Sequence, residues 1–108
     1  MKIIVLQGEW ETERVWLNGK RLYPGKSQRV WNHSPDGFTW GYQGSGCAQL
    51  ALAVLLELVP QDRAVELHQE FKRDVIAALV QDDLRVSIDL RRWLDEKGQG
   101  TVALRKGT

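Results

Sequence analysis

A chain of 108 residues, 43% of them hydrophobic and five of them tryptophan, has the size and apolar content of one domain with its own core. Fifteen basic against fourteen acidic side chains leave a net charge of +1, which excludes the global field of a protein held on nucleic acid by charge alone. The single cysteine, Cys47, excludes an internal disulfide, and neither a secretory leader nor an apolar run of the ~18 residues that cross a bilayer is present, so a soluble protein of the reducing cytoplasm with no membrane contact is expected.

Lys2 to Leu6 reads as a short strand. Arg14 to Leu17 reads as a second, and the Asn18-Gly19 pair behind it supplies the two positive-φ positions of a type I′ turn. Val15-Trp16-Leu17 should therefore fold back on Lys20-Arg21-Leu22. A second hairpin is expected from Ser27–His33 and Phe38–Tyr42, joined by Ser34-Pro35-Asp36-Gly37 as a type I turn with Gly37 in a left-handed bulge. In that register Phe38, Trp40 and Tyr42 share the core face with Val30 and Asn32. The opposite face then carries Arg29, Trp31, His33, Thr39 and Gly41.

From Gly46 to Val59 the residues are apolar almost all round, as in a helix buried at the centre of a domain. Pro60 ends it, and Ala64, Leu67, His68, Phe71, Val75, Ala78 and Leu79 recur at helical spacing through Asp62–Val80. Ser87 is placed to cap a third helix that ends near Lys97-Gly98, and Thr101–Arg105 reads as a short strand or tail. The fold class is α+β: a small antiparallel sheet of hairpins packed on a buried central helix with two further helices. A single domain spans 1–108, divided into a hairpin sheet (1–43), a helical half (44–97) and a tail or short strand (98–108).

The run Asn32-His33-Ser34-Pro35-Asp36-Gly37-Phe38, then Trp40-Gly41-Tyr42, Gly44-Ser45-Gly46 and Ala48-Gln49-Leu50-Ala51-Leu52-Ala53, resembles an uncharacterised family of small bacterial proteins also found on phages and mobile elements. The likeness extends from the upstream hairpin to Phe71-Lys72-Arg73. It implies a shared fold and no particular reaction. Relatives in that family often carry Pro where this chain has Cys47 and Gly where it has Gln43.

Among chemical candidates, Gly44-Ser45-Gly46 leads from a strand into a helix, where free N–H groups suit a phosphate. Gly41, Gly44 and Gly46 do not follow the dinucleotide-binding order and no P-loop lysine follows, so a tight structural turn is the competing account. Cys47 reads as a small apolar filler rather than an activated thiol. His33 and His68, with Asp36 and Cys47, show no metal-ligand spacing, and no cofactor is expected. Asp82-Asp83 reads as a solvated turn. Arg29, Trp31 and His33 on the outward hairpin face join a cation to aromatic surface, a pattern that either shields a cross-strand glycine or binds a partner.

With no convergent catalytic set, the expected role is a non-enzymatic binding or regulatory module. It would act through Arg29, Trp31, His33 and the Gly44, Ser45, Gly46 helix start, most readily on a protein partner, as a monomer or homodimer. The alternative is a binder of a phosphorylated ligand, a nucleotide or single-stranded nucleic acid, with Arg29 and the backbone at Ser45 holding phosphate and Trp31 stacking a base. A third reading, implied by the resemblance alone, is a mobile-element inhibitor that docks on another protein.

Overall fold

The computed structural model describes residues 3–97. Strands β1 (Ile3–Glu9), β2 (Arg14–Leu17), β3 (Lys20–Leu22) and β4 (Leu84–Asp89) form one antiparallel sheet in the order β3-β2-β1-β4. Helices α1 (Gly25–Val30), α2 (Ser45–Leu56) and α3 (Gln61–Phe71) lie between β3 and β4 in the chain, and α3 runs on into a π-helical segment, Lys72–Ile76. Helix α4 covers residues 90–97. The expected strand or tail at Thr101–Arg105 lies outside the described residues.

The β2–β3 hairpin forms as the Asn18-Gly19 pair dictates, with φ of 53° and 80° at the two positions and Leu17 opposite Lys20. Asn18 has a second task. Its Oδ1 accepts from Val5 N at 2.8 Å and its own N donates to Val5 O at 2.8 Å, clasping the turn to β1. Alternation puts Ile4, Leu6, Val15, Leu17 and Leu22 on one buried face, and these join α2 in a single hydrophobic cluster.

Helix α2 is the buried element its composition demands, since every residue from Gly46 to Leu55 is buried. Helix α3 turns Ala64, Leu67, His68 and Phe71 inward. Beyond Phe71 the expected spacing breaks, because the π turn adds a residue to the cycle. Ile76, five positions on, becomes the next fully buried side chain, while Val75 is half-buried and Ala78 is exposed.

Three expectations are corrected. Residues 27–33 do not form a strand: 25–30 is helical and no strand lies between Leu22 and Leu84. Gln28 N bonds to Pro24 O at 2.9 Å as a helical turn requires, and the following loop is held by Gln49 rather than by a ladder to 38–42. The Ser34–Gly37 turn itself exists, with Gly37 N on Ser34 O at 3.3 Å and φ of 105° at Gly37. Phe38 and Trp40 are buried as expected, but Tyr42 and Asn32 are exposed.

Second, Ser87 is no helix cap. Leu84, Val86 and Ile88 alternate with polar residues, the period of a strand, and Ser87 pairs with Val5. Asp89 caps α4 instead, its Oδ1 accepting from Arg92 N at 3.0 Å. Third, the division into a hairpin sheet over 1–43 and a helical half over 44–97 fails, because α1 lies in the first part and β4 in the second.

Trp40 closes the core beside β1. A Cβ on Gly8 would come 2.7 Å from its ring, so only glycine admits the indole at that point. The ring is fixed further by Nε1, which donates to Asp82 O at 3.2 Å, and by an edge-on contact with Trp10 at 5.4 Å.

Candidate functional site

The six candidate residues separate into three places. The first is organised by Gln49, a fully buried amide on α2. Its Oε1 accepts from His33 N at 2.7 Å and Ser34 N at 2.9 Å, while its Nε2 donates to Ser27 Oγ at 2.9 Å and Trp31 O at 3.1 Å. Four polar groups of the α1 segment and its loop are thus satisfied by one side chain.

That anchor delivers Trp31 and His33 to His68 of α3. The indole of Trp31 stacks on His33 with ring centroids 4.6 Å apart, and meets His68 edge-on at 5.4 Å. His33 Nε2 and His68 Nε2 are 2.9 Å apart, and His68 Nδ1 is 2.6 Å from Val65 O. A carbonyl only accepts, so Nδ1 of His68 carries its proton and His33 Nε2–H donates to the lone pair on His68 Nε2. Burial, the neighbouring His68 and the Lys72 ammonium hold the His33 pKa below the usual imidazole value. Burial also lowers that of His68, against the pull of the Val65 and Ala64 carbonyls. Two neutral, mutually bonded imidazoles are a structural pair; among the described residues no group of three or more His, Cys, Asp or Glu is placed to hold a metal ion.

The second place is the start of α2. Ser45 and Gly46 line a cleft of about 230 Å³ together with Glu13, Asp36 and Tyr42. Gly46 is required for packing, since a Cβ there would lie 2.6 Å from Thr39 Cγ2. Two carboxylates on the rim oppose the helix dipole's attraction for an anion, so the cleft offers phosphate little. Cys47 beside it is buried, and burial pushes its thiol pKa up against the backbone contacts of Tyr42 and Gly44, which makes it a poor nucleophile.

The third place holds Arg29. An open groove of about 420 Å³ runs between the β2–β3 hairpin and α1, lined by Lys20, Arg21, Tyr23, Lys26, Arg29 and Glu57 among others. Lys26 is paired with Glu57 at 3.2 Å. Lys20, Arg21 and Arg29 have no carboxylate at ion-pair distance among the described residues. The Arg21 guanidinium is held by aromatic rings instead, 4.6 Å from the centre of Tyr23 and 5.6 Å from that of Trp16, and its Nε is buried with no hydrogen-bond partner. Arg29 reaches back along α1, its Nη1 3.5 Å from where a Gly25 Cβ would stand.

Arg29 therefore does not share a strand with Trp31 and His33, and neither group shares a cleft with Ser45 and Gly46. Lys20, Arg21, Tyr23 and Lys26 are site residues that the sequence motifs do not single out; the signal for them is the concentration of basic residues between Lys20 and Arg29. His33 and His68, weighed in the sequence only as metal ligands, are instead bonded to each other, a pairing that nothing in their spacing shows.

These features define a small α+β protein whose sheet and helices share one core. Residues 7–96 match the family of unknown function DUF6166, and the chain belongs to it. No curated protein and no solved structure matches the sequence. Among the described residues no helix is long and apolar enough to cross a membrane.

Proposed function

We propose that the protein is a non-enzymatic binding module for a phosphate-bearing ligand, held in the groove between the β2–β3 hairpin and α1. The observation that carries this reading is the gathering of Lys20, Arg21 and Arg29, all without ion-pair partners among the described residues, around one groove with the paired Lys26. Guanidinium groups match phosphate oxygens in a two-pronged fashion, and Arg21 is set in place by its two rings, so little side-chain freedom is lost when it meets an anion. The site differs from the one expected at the α2 start, and only Arg29 is common to both. The outward hairpin face on which a protein partner was expected to dock is not formed.

Calorimetric titration with inorganic tripolyphosphate at low salt tests the reading. Binding that weakens as salt rises, and that weakens about fivefold or more in the exposed-residue variant Arg29→Gln, supports it. A wild-type protein that takes up no tripolyphosphate at low salt would overturn it.

A further inference from the structure

Resting on the phosphate-binding reading of the same groove, we infer that its ligand is single-stranded nucleic acid, with a base stacked on Tyr23. Tyr23 is 64% exposed, the most exposed of the large hydrophobic side chains among the described residues, and it sits on the groove lining beside the unpaired cations. Its ring is not adrift: the Arg21 guanidinium lies over it at 4.6 Å and fixes its plane. A ring fixed on one side and open to solvent on the other is a platform for a base, since every nucleobase has a π-face to offer.

The groove's form selects among phosphate carriers. A site for one free nucleotide encloses most of its ligand, whereas this groove is open and its aromatic residue stands in solvent. Lys20, Arg21 and Arg29, without ion-pair partners among the described residues, offer more positive charge than one phosphate uses, and all three line the one open groove, which suits a run of backbone phosphates. A duplex keeps its bases in the stack and presents none to Tyr23. A phosphopeptide gives the tyrosine ring nothing that requires it.

The test compares four ligands by fluorescence anisotropy and calorimetry: single-stranded oligothymidine, the matched duplex, a nucleoside triphosphate and inorganic tripolyphosphate, with a phosphoserine peptide as a fifth. Tyr23→Ala and Tyr23→Phe are measured beside wild type, and both should keep its melting temperature because the side chain is exposed. The expected result is preference for the single strand, a loss of about fivefold or more in Tyr23→Ala for that ligand that exceeds the loss for tripolyphosphate, and near-complete retention in Tyr23→Phe. Equal oligothymidine affinity in Tyr23→Ala and wild type would overturn the inference, as would tighter binding of duplex, mononucleotide or phosphopeptide. In each of those cases tripolyphosphate binding that still depends on Arg29 leaves the phosphate reading standing. If neither strand nor tripolyphosphate binds, both fall.

Discussion

His33 and His68 face each other through their Nε2 atoms at 2.9 Å, a bond that needs at least one of the two imidazoles to keep a lone pair there. Both folded-state pKa values lie below the ordinary 6.5, first because of burial and then because of the neighbouring Lys72, with His68 itself adding to the effect on His33. An unfolded chain has no such burial and takes up protons as pH falls through about 6.5. The folded state takes them up only at lower pH. Stability from the pair is therefore fully present above 6.5, declines below it, and stops declining once the lowered folded values are passed. Chemical denaturation from pH 8 to pH 5 should show that decline in wild type and a flatter profile in the double variant His33→Gln/His68→Gln. An unchanged slope in the variant would assign the pH dependence elsewhere. Asp74, whose pKa is lowered by hydrogen bonds from Lys97 and Trp93, acts in a separate window below 3.8.

Gln49 supplies four hydrogen bonds to α1 and the loop after it, so replacing it with the similarly sized Leu orphans Ser34 N and takes one bond each from Ser27 Oγ, Trp31 O and His33 N, which keep a second partner. At ~1–3 kcal/mol for the orphaned amide and ~0.5–1.5 kcal/mol for each of the other bonds lost, Gln49→Leu should destabilise by about 3 kcal/mol or more. Urea denaturation measures this. A cost under about 1 kcal/mol would mean that water or a shifted loop satisfies those groups as well as the amide does.

Gly8 and Trp40 make a lock that double mutation can read. Gly8→Ala drives a methyl to 2.7 Å from the indole and should cost about 1–3 kcal/mol through overpacking. Trp40→Phe withdraws the outer ring from that spot while leaving its own cavity. The double variant should then be more stable than the sum of the single losses implies, by about 0.5 kcal/mol or more. Additive losses would show that the ring already has room to move.

The parts of the fold legible in the sequence are those fixed by local chemistry or by overwhelming composition. Asn18-Gly19 determines its own turn, and a run as nearly apolar all round as α2 has nowhere to go but inside. The segment 27–33 is not legible in the same way, because its alternation is weak and its loop is held by Gln49, a residue far along the chain whose amide reads in sequence as an interruption of an apolar helix. Strand β4 was misread for a different reason. Its period-2 pattern was present, but Ser87 and Asp89 both look like caps, and only pairing with β1 decides between them. The groove gathers residues from a hairpin and a helix, and a segment expected to be all strand does not reveal the groove between the two.

The strand order carries a consequence for the protein's manufacture. β1 precedes its sheet neighbours in the chain and occupies an interior position of the sheet, yet its neighbour β4 follows only after the three helices α1 to α3, with Ile4 waiting for Ile88. While the intervening helices are synthesised, Ile3, Ile4, Val5 and Leu6 have the β2–β3 hairpin on one side and a bare row of amides and carbonyls on the other. The far edge of the hairpin is short and carries Lys20 and Arg21, which discourages strangers, whereas the waiting edge of β1 is long and apolar. A product cut short before Leu84 keeps that edge uncovered, a template on which another strand can pair.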